Sequence, residues 1–275
     1  MYLHQNPPSP ELSAWIHSFR CYAFAPGDRQ RIPFLPGTGA EFWLVEDGTL
    51  TLHDRRLGDG LICPRTGVQE YRQSALRVFA IRFRAGALPA FTRRPLDTLI
   101  DAYTPPDQLW GNEVVSVLDA IRHSPCFEEK CLVSERLLQT RLRTDCPLIA
   151  AQRLATEIFE HSDRFVLGER AAALQRDRGR LSRQFREVQG IGAKHYHRLC
   201  RFERFLRDAL FADHPALVQL AIAHGYCDQS HMQNDVRDIT RHSPRALLAD
   251  RDLHLFYAPR RKASQPVDTA GSPGG

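Results

Sequence analysis

Five polar side chains near the end of the chain could do chemistry together: Gln229, Ser230, Gln233, Asn234 and Arg237. Helical spacing places Ser230, Asn234 and Arg237 on one face, with the two glutamines at its margins. Side-chain amides pair with adenine edges through a donor and an acceptor at once, and a guanidinium suits guanine or phosphate. The chemistry is therefore recognition of base edges rather than bond making. Met232, Val236 and Ile239, spaced by four and three, form the opposite stripe that a core would bury.

The elements that would position these side chains can be read around them. Leu217, Leu220, Ala221 and His224 share a face of a supporting helix running from about Pro215 to His224. Gly225 follows as a residue free to turn with positive φ, and Asp228 suits the N-cap of the next helix. Helix, glycine turn and second helix make the arrangement that pushes side chains into a major groove. A second copy lies upstream. Arg170-Ala171-Ala172-Ala173-Leu174 would support a helix with Leu181, Phe185 and Val188 buried and with Arg183 and Arg186 outward, flanked by Ser182 and Arg180. Its turn holds Gln175 where glycine is expected; a non-glycine residue at positive φ costs roughly 1 kcal/mol, so this turn should be either strained or differently shaped. Gly179 stands where a reading side chain would be, so this copy should supply mostly charge.

Between the copies, Tyr196, Leu199, Phe202, Leu206 and Ala209 recur at three and four along one long helix from Lys194 to Leu210. Lys194, Arg198 and Arg201 line another side of it. From Arg176 to Arg207 ten basic residues face three acids, an excess of seven against +5 for the whole chain. Such a patch favours a polyanion. The candidate base readers are Ser182, Arg183, Gln229, Ser230, Gln233 and Asn234. The candidate phosphate contacts are Arg178, Arg180, Arg186, Lys194, Arg198, Arg201 and Arg237.

The first hundred residues read as β-rich. Residues 40–45 and 49–52 form two runs split by Asp47-Gly48, a hairpin signal. Residues 77–84 alternate strictly, and Phe79, Ile81 and Phe83 should face a core. Many short strands with turn chemistry between them suggest a small cupin-like barrel or sandwich. After Pro95, Trp110, Val114, Val117, Leu118 and Ile121, then Leu132, Leu137, Leu138 and Leu142, recur at helical spacing. The expected class is multi-domain α and β. Residues 1–95 form a β-rich sensing domain, 96–148 a helical connector, 149–256 an all-α domain with two helix-turn-helix units, and 257–275 a disordered tail.

Seven cysteines lack any Cys-x-x-Cys spacing and read as reduced thiols. The start lacks the layout of a secretory signal, and no apolar run reaches bilayer length, so a cytoplasmic location is expected and a membrane partner is not.

With these residues assembled, the C-terminal part resembles the AraC/XylS family of transcription regulators over residues 151–252. The carrying motifs are Leu181-Ser182-Arg183-Gln184-Phe185, Gly190 followed by Lys194, Arg201-Phe202, Gly225-Tyr226-Cys227-Asp228-Gln229-Ser230-His231 and Ser243-Pro244-Arg245. Gln175, Asp177, Val236 and Arg241-His242 depart from the family pattern. The N-terminal part is similar to the β-rich sensor region of one branch, on Ile32-Pro33, Cys63-Pro64-Arg65, Val78 to Gly86, Leu96 to Asp101 and Leu109-Trp110-Gly111. The resemblance implies two groove-entering helices bridged by a long one, with readers among Gly179, Ser182 and Arg183, then Gln229, Ser230, Gln233 and Asn234. The partners it implies are double-stranded DNA, an unidentified small-molecule effector, RNA polymerase and a second copy of the chain.

The expected function is a sequence-specific, ligand-responsive DNA-binding transcription regulator reading two adjacent major-groove segments, not an enzyme. Trp43, Tyr71, Phe79 and Arg82 are candidates to line an effector pocket, with aromatic core the alternative for the first three. One rival is a degenerate family member that antagonises by binding protein, favoured by Gln175, Gly179 and Arg241. The other is a cupin-type metal oxygenase. Before Pro95 only His4, His17 and His53 could serve it, none as His-x-His. His195 and His197 point apart on a helix. No catalytic residue, metal or cofactor is expected.

Overall fold

The computed structural model describes residues 2–25, 27, 31–62, 65–212 and 216–250. The expected tail, the helix start at Pro215 and the Cys63-Pro64 pair lie outside the described residues.

Seven antiparallel strands form one sheet: β1 (Tyr2–Asn6), β2 (Ile16–Ala23), β3 (Arg31–Phe34), β4 (Glu41–Leu52), β5 (Arg55–Leu57), β6 (Gly60–Leu61) and β7 (Gln69–Phe83). The order is β1-β2-β7-β4-β5. The two long strands β4 and β7 pair along their length. On the other edge of β7, β3 pairs with its first half and β2 with its second. The sheet is open. Among the described residues β1 and β5 are its edges and do not pair with each other, so the closure of a cupin-like barrel is absent.

The Asp47-Gly48 pair turns out to be a bulge, not a hairpin. β4 runs straight through it with register shifts on either side of Asp47. Gly48 has φ +80°, and a Cβ there would lie 2.4 Å from the Ala75 carbonyl oxygen, so only glycine fits. Opposite it, Ala75 also takes positive φ. The extra residue in each strand flips the face that follows. Trp43 shares its core with Leu50, and Tyr71 shares that core with Leu76, Val78 and Ala80. The real hairpin is at His53-Asp54, whose φ values of 49° and 61° suit a type I′ turn. Phe79, Ile81 and Phe83 face a core as expected. Val78 and Ala80 on the opposite side are buried too, because β7 lies between two cores.

Helices α1 (Pro106–Trp110), α2 (Val114–His123) and α3 (Phe127–Arg141) pack on one face of the sheet. Trp110, Val114, Leu118, Ile121, Leu137 and Leu138 share a core with Phe42, Phe79 and Phe83. These helices therefore belong physically to the sheet. Leu132 is exposed, and Cys131 and Ser134 take the buried face beside it. The five described cysteines are free, and burial pushes the Cys131 thiol well up, which leaves it unreactive.

The C-terminal half holds α4 (Cys146–Glu160), α5 (Leu167–Ala173), α6 (Arg178–Gln189), α7 (Ala193–Phe211), α8 (Leu217–Ala223), α9 (Gln229–Thr240) and α10 (Pro244–Leu248). Among the described residues, no helix is long and apolar enough to cross a membrane. Every member of the expected α7 stripe, from Tyr196 to Ala209, is buried.

The two halves share a polar seam. Glu203, on the buried side of α7, accepts hydrogen bonds from the Thr38 backbone N–H at 3.1 Å and the Thr38 hydroxyl at 2.9 Å. Arg82 of β7 lies 3.9 Å from Glu203 and 2.9 Å from Glu41. Glu41 also accepts from the Trp43 indole at 2.8 Å and stands 3.9 Å from buried Arg20. Burial alone would raise the Glu41 carboxyl, but Arg82 and Arg20 hold it below its ordinary value. A chain of opposite charges thus runs from the sheet to the long helix. The contact is close elsewhere too: Gln189 donates to the Gly86 carbonyl at 3.0 Å, and a Cβ at Gly86 would meet that of Ala155 at 2.3 Å.

Candidate nucleic-acid interface

Both supporting helices end by the same hydrogen-bond pattern. Arg176 N–H donates to the Ala171 carbonyl and Gln175 N–H to that of Ala172. In the second unit Tyr226 N–H donates to Ala221 and Gly225 N–H to Ile222. Each pattern is a Schellman turn, which needs a left-handed residue: Gln175 at φ 52° and Gly225 at φ 75°. The following helix is capped alike. Asp177 accepts from Arg180 N–H and Asp228 from His231 N–H, both at 2.7 Å. Asp177, a departure by sequence, does the work of Asp228.

The turn residues differ for a physical reason. Gln175 is exposed and bears only its own strain. Gly225 is pressed on the backbone of Asp163, where a Cβ would come within 2.3 Å of the carbonyl oxygen. Gly225→Ala should therefore lower stability by more than the roughly 1 kcal/mol of left-handed strain, while Gln175→Gly should be neutral or gain up to about that much. Urea unfolding of both variants checks the pair, and equal effects of one sign would contradict it.

On α9, Met232, Val236 and Ile239 are buried, joined by Asp235 and Thr240. Ser230, Asn234 and Arg237 are exposed, and Gln229 and Gln233 are half-buried. At about 100° per residue, Ser230, Gln233, Asn234 and Arg237 fall within one arc of roughly 100° facing away from the core. On α6, Leu181 and Phe185 are buried. The third buried position is Gln189, with Val188 only half-buried. Arg178, Arg180, Arg183 and Arg186 are exposed, Ser182 is half-buried, and Gly179 leaves a gap between the arginines.

The arginines of the strut have another task. Arg198 pairs through its Nε with Asp235 and lies 3.3 Å from Asp238. Arg201 lies 3.5 Å from Asp235, donates to the Gly225 carbonyl at 3.3 Å and sits 4.4 Å above the Tyr226 ring. Arg204 bonds the carbonyls at the end of α4. Of the expected phosphate contacts, Arg198 and Arg201 are thus spent on clamping α9 to α7. Lys194 and Arg237 remain exposed, as are the arginines of α6. Asp235 and Asp238, unhelpful to an anion-binding face, are paired within the protein. The His197 ring donates to the Ser162 carbonyl at 2.7 Å.

Residues 170–250 match a family model described as a helix-turn-helix domain. These residues are an AraC-type DNA-binding domain. Over 90% of this chain the fold is similar to that of ToxT from Vibrio cholerae, with a TM-score of 0.50 and 11% identity, covering 98% of that chain. An AraC-type transcriptional regulator from Chromobacterium violaceum is 22% identical, with a TM-score of 0.32, over 37% of this chain and 94% of its own. The C-terminal domain of AraT, a response regulator from Geobacillus stearothermophilus, is 21% identical, with a TM-score of 0.35, over 39% and 87%. No curated protein matched the chain.

The clamp partner of Arg198 and Arg201 and the Thr38 grip on Glu203 were not found by sequence reasoning. A buried-side acid at Glu203, in phase with Leu199, Phe202 and Leu206, was the one available signal.

Proposed function

We propose that the chain is a ligand-responsive transcription regulator that reads two adjacent major-groove segments through α6 and α9. The observation that carries this reading is the repeated geometry of the two units. Each has the same turn, the same aspartate cap and an outward polar or basic face, and both are mounted on α7. Nineteen residues make α7 about 28 Å long, near the roughly 34 Å between groove segments on one DNA face. Among the described residues Arg178, Arg180, Arg183, Arg186, Lys194 and Arg237 are exposed cations of this face without an ion pair, and Gln229, Ser230, Gln233 and Asn234 are its base readers. Effector binding on the sheet side would act on the DNA-binding half through the Glu203 seam and the α3–α4 connection, provided the effector distinguishes two arrangements of the halves.

The test is binding to genomic fragments selected by the protein, followed across salt concentrations. A preferred fragment whose affinity falls steeply with salt is expected. Arg186→Ala should weaken all fragments alike and reduce the slope of log affinity against log salt by about 1. Arg201→Ala should leave that slope unchanged and lower stability instead. A chain that prefers no fragment would favour the protein-binding antagonist.

A further inference from the structure

Among the described residues, Tyr22, Trp43 and Tyr71 are fully buried in the interior of the sheet and fill it with aromatic side chains. The cavity between the sheet and α6–α7 holds only about 20 Å³, enough for a water molecule. A third place is different. Beside α1 and the end of α3 lies a groove of about 710 Å³, within the roughly 300–1,000 Å³ of small-molecule sites. Four arginines line it, Arg93, Arg94, Arg141 and Arg143, against one carboxylate, Glu113.

The four are not equivalent. Arg141 donates to the Trp110 carbonyl at 2.7 Å and lies 3.3 Å from Glu113. Arg143 donates to the Thr92 carbonyl at 3.1 Å and pairs with Asp145 at 2.6 Å. These bonds fix the far wall. Arg93 and Arg94 are exposed, and among the described residues their guanidinium groups have no ion pair or hydrogen bond. The rest of the wall is mixed, with Pro95, Leu109 and Leu142 as its apolar part beside Thr92, Gln108 and Thr140. Paired forks of planar donors match a carboxylate, and a compact apolar body would cover the rest.

The groove also sits at the covalent joint of the two halves. Leu142 ends α3, and Arg143 leads into α4, which packs on both α6 and α7. The joint is pinned by the Arg143 N–H on the Ala90 carbonyl at 2.8 Å.

We propose that this groove is a binding site for a small organic carboxylate, gripped by Arg93 and Arg94 and seated against the Leu142–Arg143 joint. Its regulatory consequence rests on the ligand-responsive reading above; its binding chemistry does not.

The experiment is a calorimetric titration of the full chain with benzoate, the neutral isostere benzamide and inorganic phosphate. Benzoate should bind at least tenfold more tightly than either. The double variant Arg93→Ala/Arg94→Ala, unchanged in thermal midpoint, should lose at least tenfold in benzoate affinity. Equal binding of benzamide, equal binding of phosphate, or an unaffected double variant each overturns the site. So does a double variant that loses DNA affinity without benzoate present, because those arginines would then serve phosphates of DNA. Repeating the titration with a selected DNA fragment separates the two readings. Benzoate bound with DNA affinity unmoved upholds the site and refutes ligand control, whereas selective DNA binding with no benzoate bound refutes the site alone.

Discussion

An Asp235→Ala variant is expected to lose roughly 2–4 kcal/mol of stability, a large effect for a change at a polar residue. Asp235 is on α9 with its side chain only 7% exposed, and both of its carboxylate oxygens face arginines of α7. Removing it leaves Arg201 with no carboxylate partner and Arg198 with Asp238 alone. Arg201 is 17% exposed and cannot turn fully to water, since it also stacks on Tyr226 and bonds the Gly225 carbonyl. Arg198 is 35% exposed and still has Asp238, which is why the expected loss stays below that of a fully buried pair. The clamp ties together the strut, the Gly225 turn and the reading helix, so local opening should also reduce DNA affinity. Denaturant unfolding of wild type and variant measures the first effect. A loss under 0.5 kcal/mol, the size usual for a surface site, would show that the clamp is not structural. Asp235→Asn keeps an acceptor but no charge and should fall between.

What was legible in the sequence follows from where local chemistry decides. Gly225, Asp228 and the stripe of Met232, Val236 and Ile239 are read from neighbours within a few residues, and the second unit was placed almost to the residue. Of the two readings open for Gln175, a strained turn or a differently shaped one, the strained turn is observed, because the Schellman turn demands a left-handed residue whatever its type. Asp47-Gly48 misled because its φ suits a hairpin and a bulge equally. Only the partner strand, with Ala75 opposite, decides between them. The arginines of α7 misled for the same reason. A stripe of cations at helical spacing looks the same whether it faces phosphates or acids forty residues away. Nothing in the order of residues names Arg198 and Arg201 as the partners of Asp235 and Asp238. The role of α1–α3 was also decided at long range, since their apolar stripes fit a sheet face as well as one another.

Replacing Gln233 and Asn234 together by alanine is expected to flatten the base preference of α9 by about 10–100-fold, since one well-made bidentate base contact contributes about 1–3 kcal/mol of discrimination. Both residues lie on the outward arc of α9, and among the described residues neither side chain is hydrogen-bonded. Their loss therefore leaves no buried group unpaired, and alanine favours the helix, so the fold should hold. Neither carries charge, so the salt slope should not move. Arg183→Ala supplies the contrast. It lies on the stripe of α6 that Gly179 interrupts, and it should weaken binding to every sequence alike while leaving the preferred one preferred. Fragment selection with each variant, scored position by position, distinguishes the two. If the double variant of α9 selects the same bases as the wild type, α9 lies against the DNA without reading it, and discrimination must come from α6 or from the shape of the duplex.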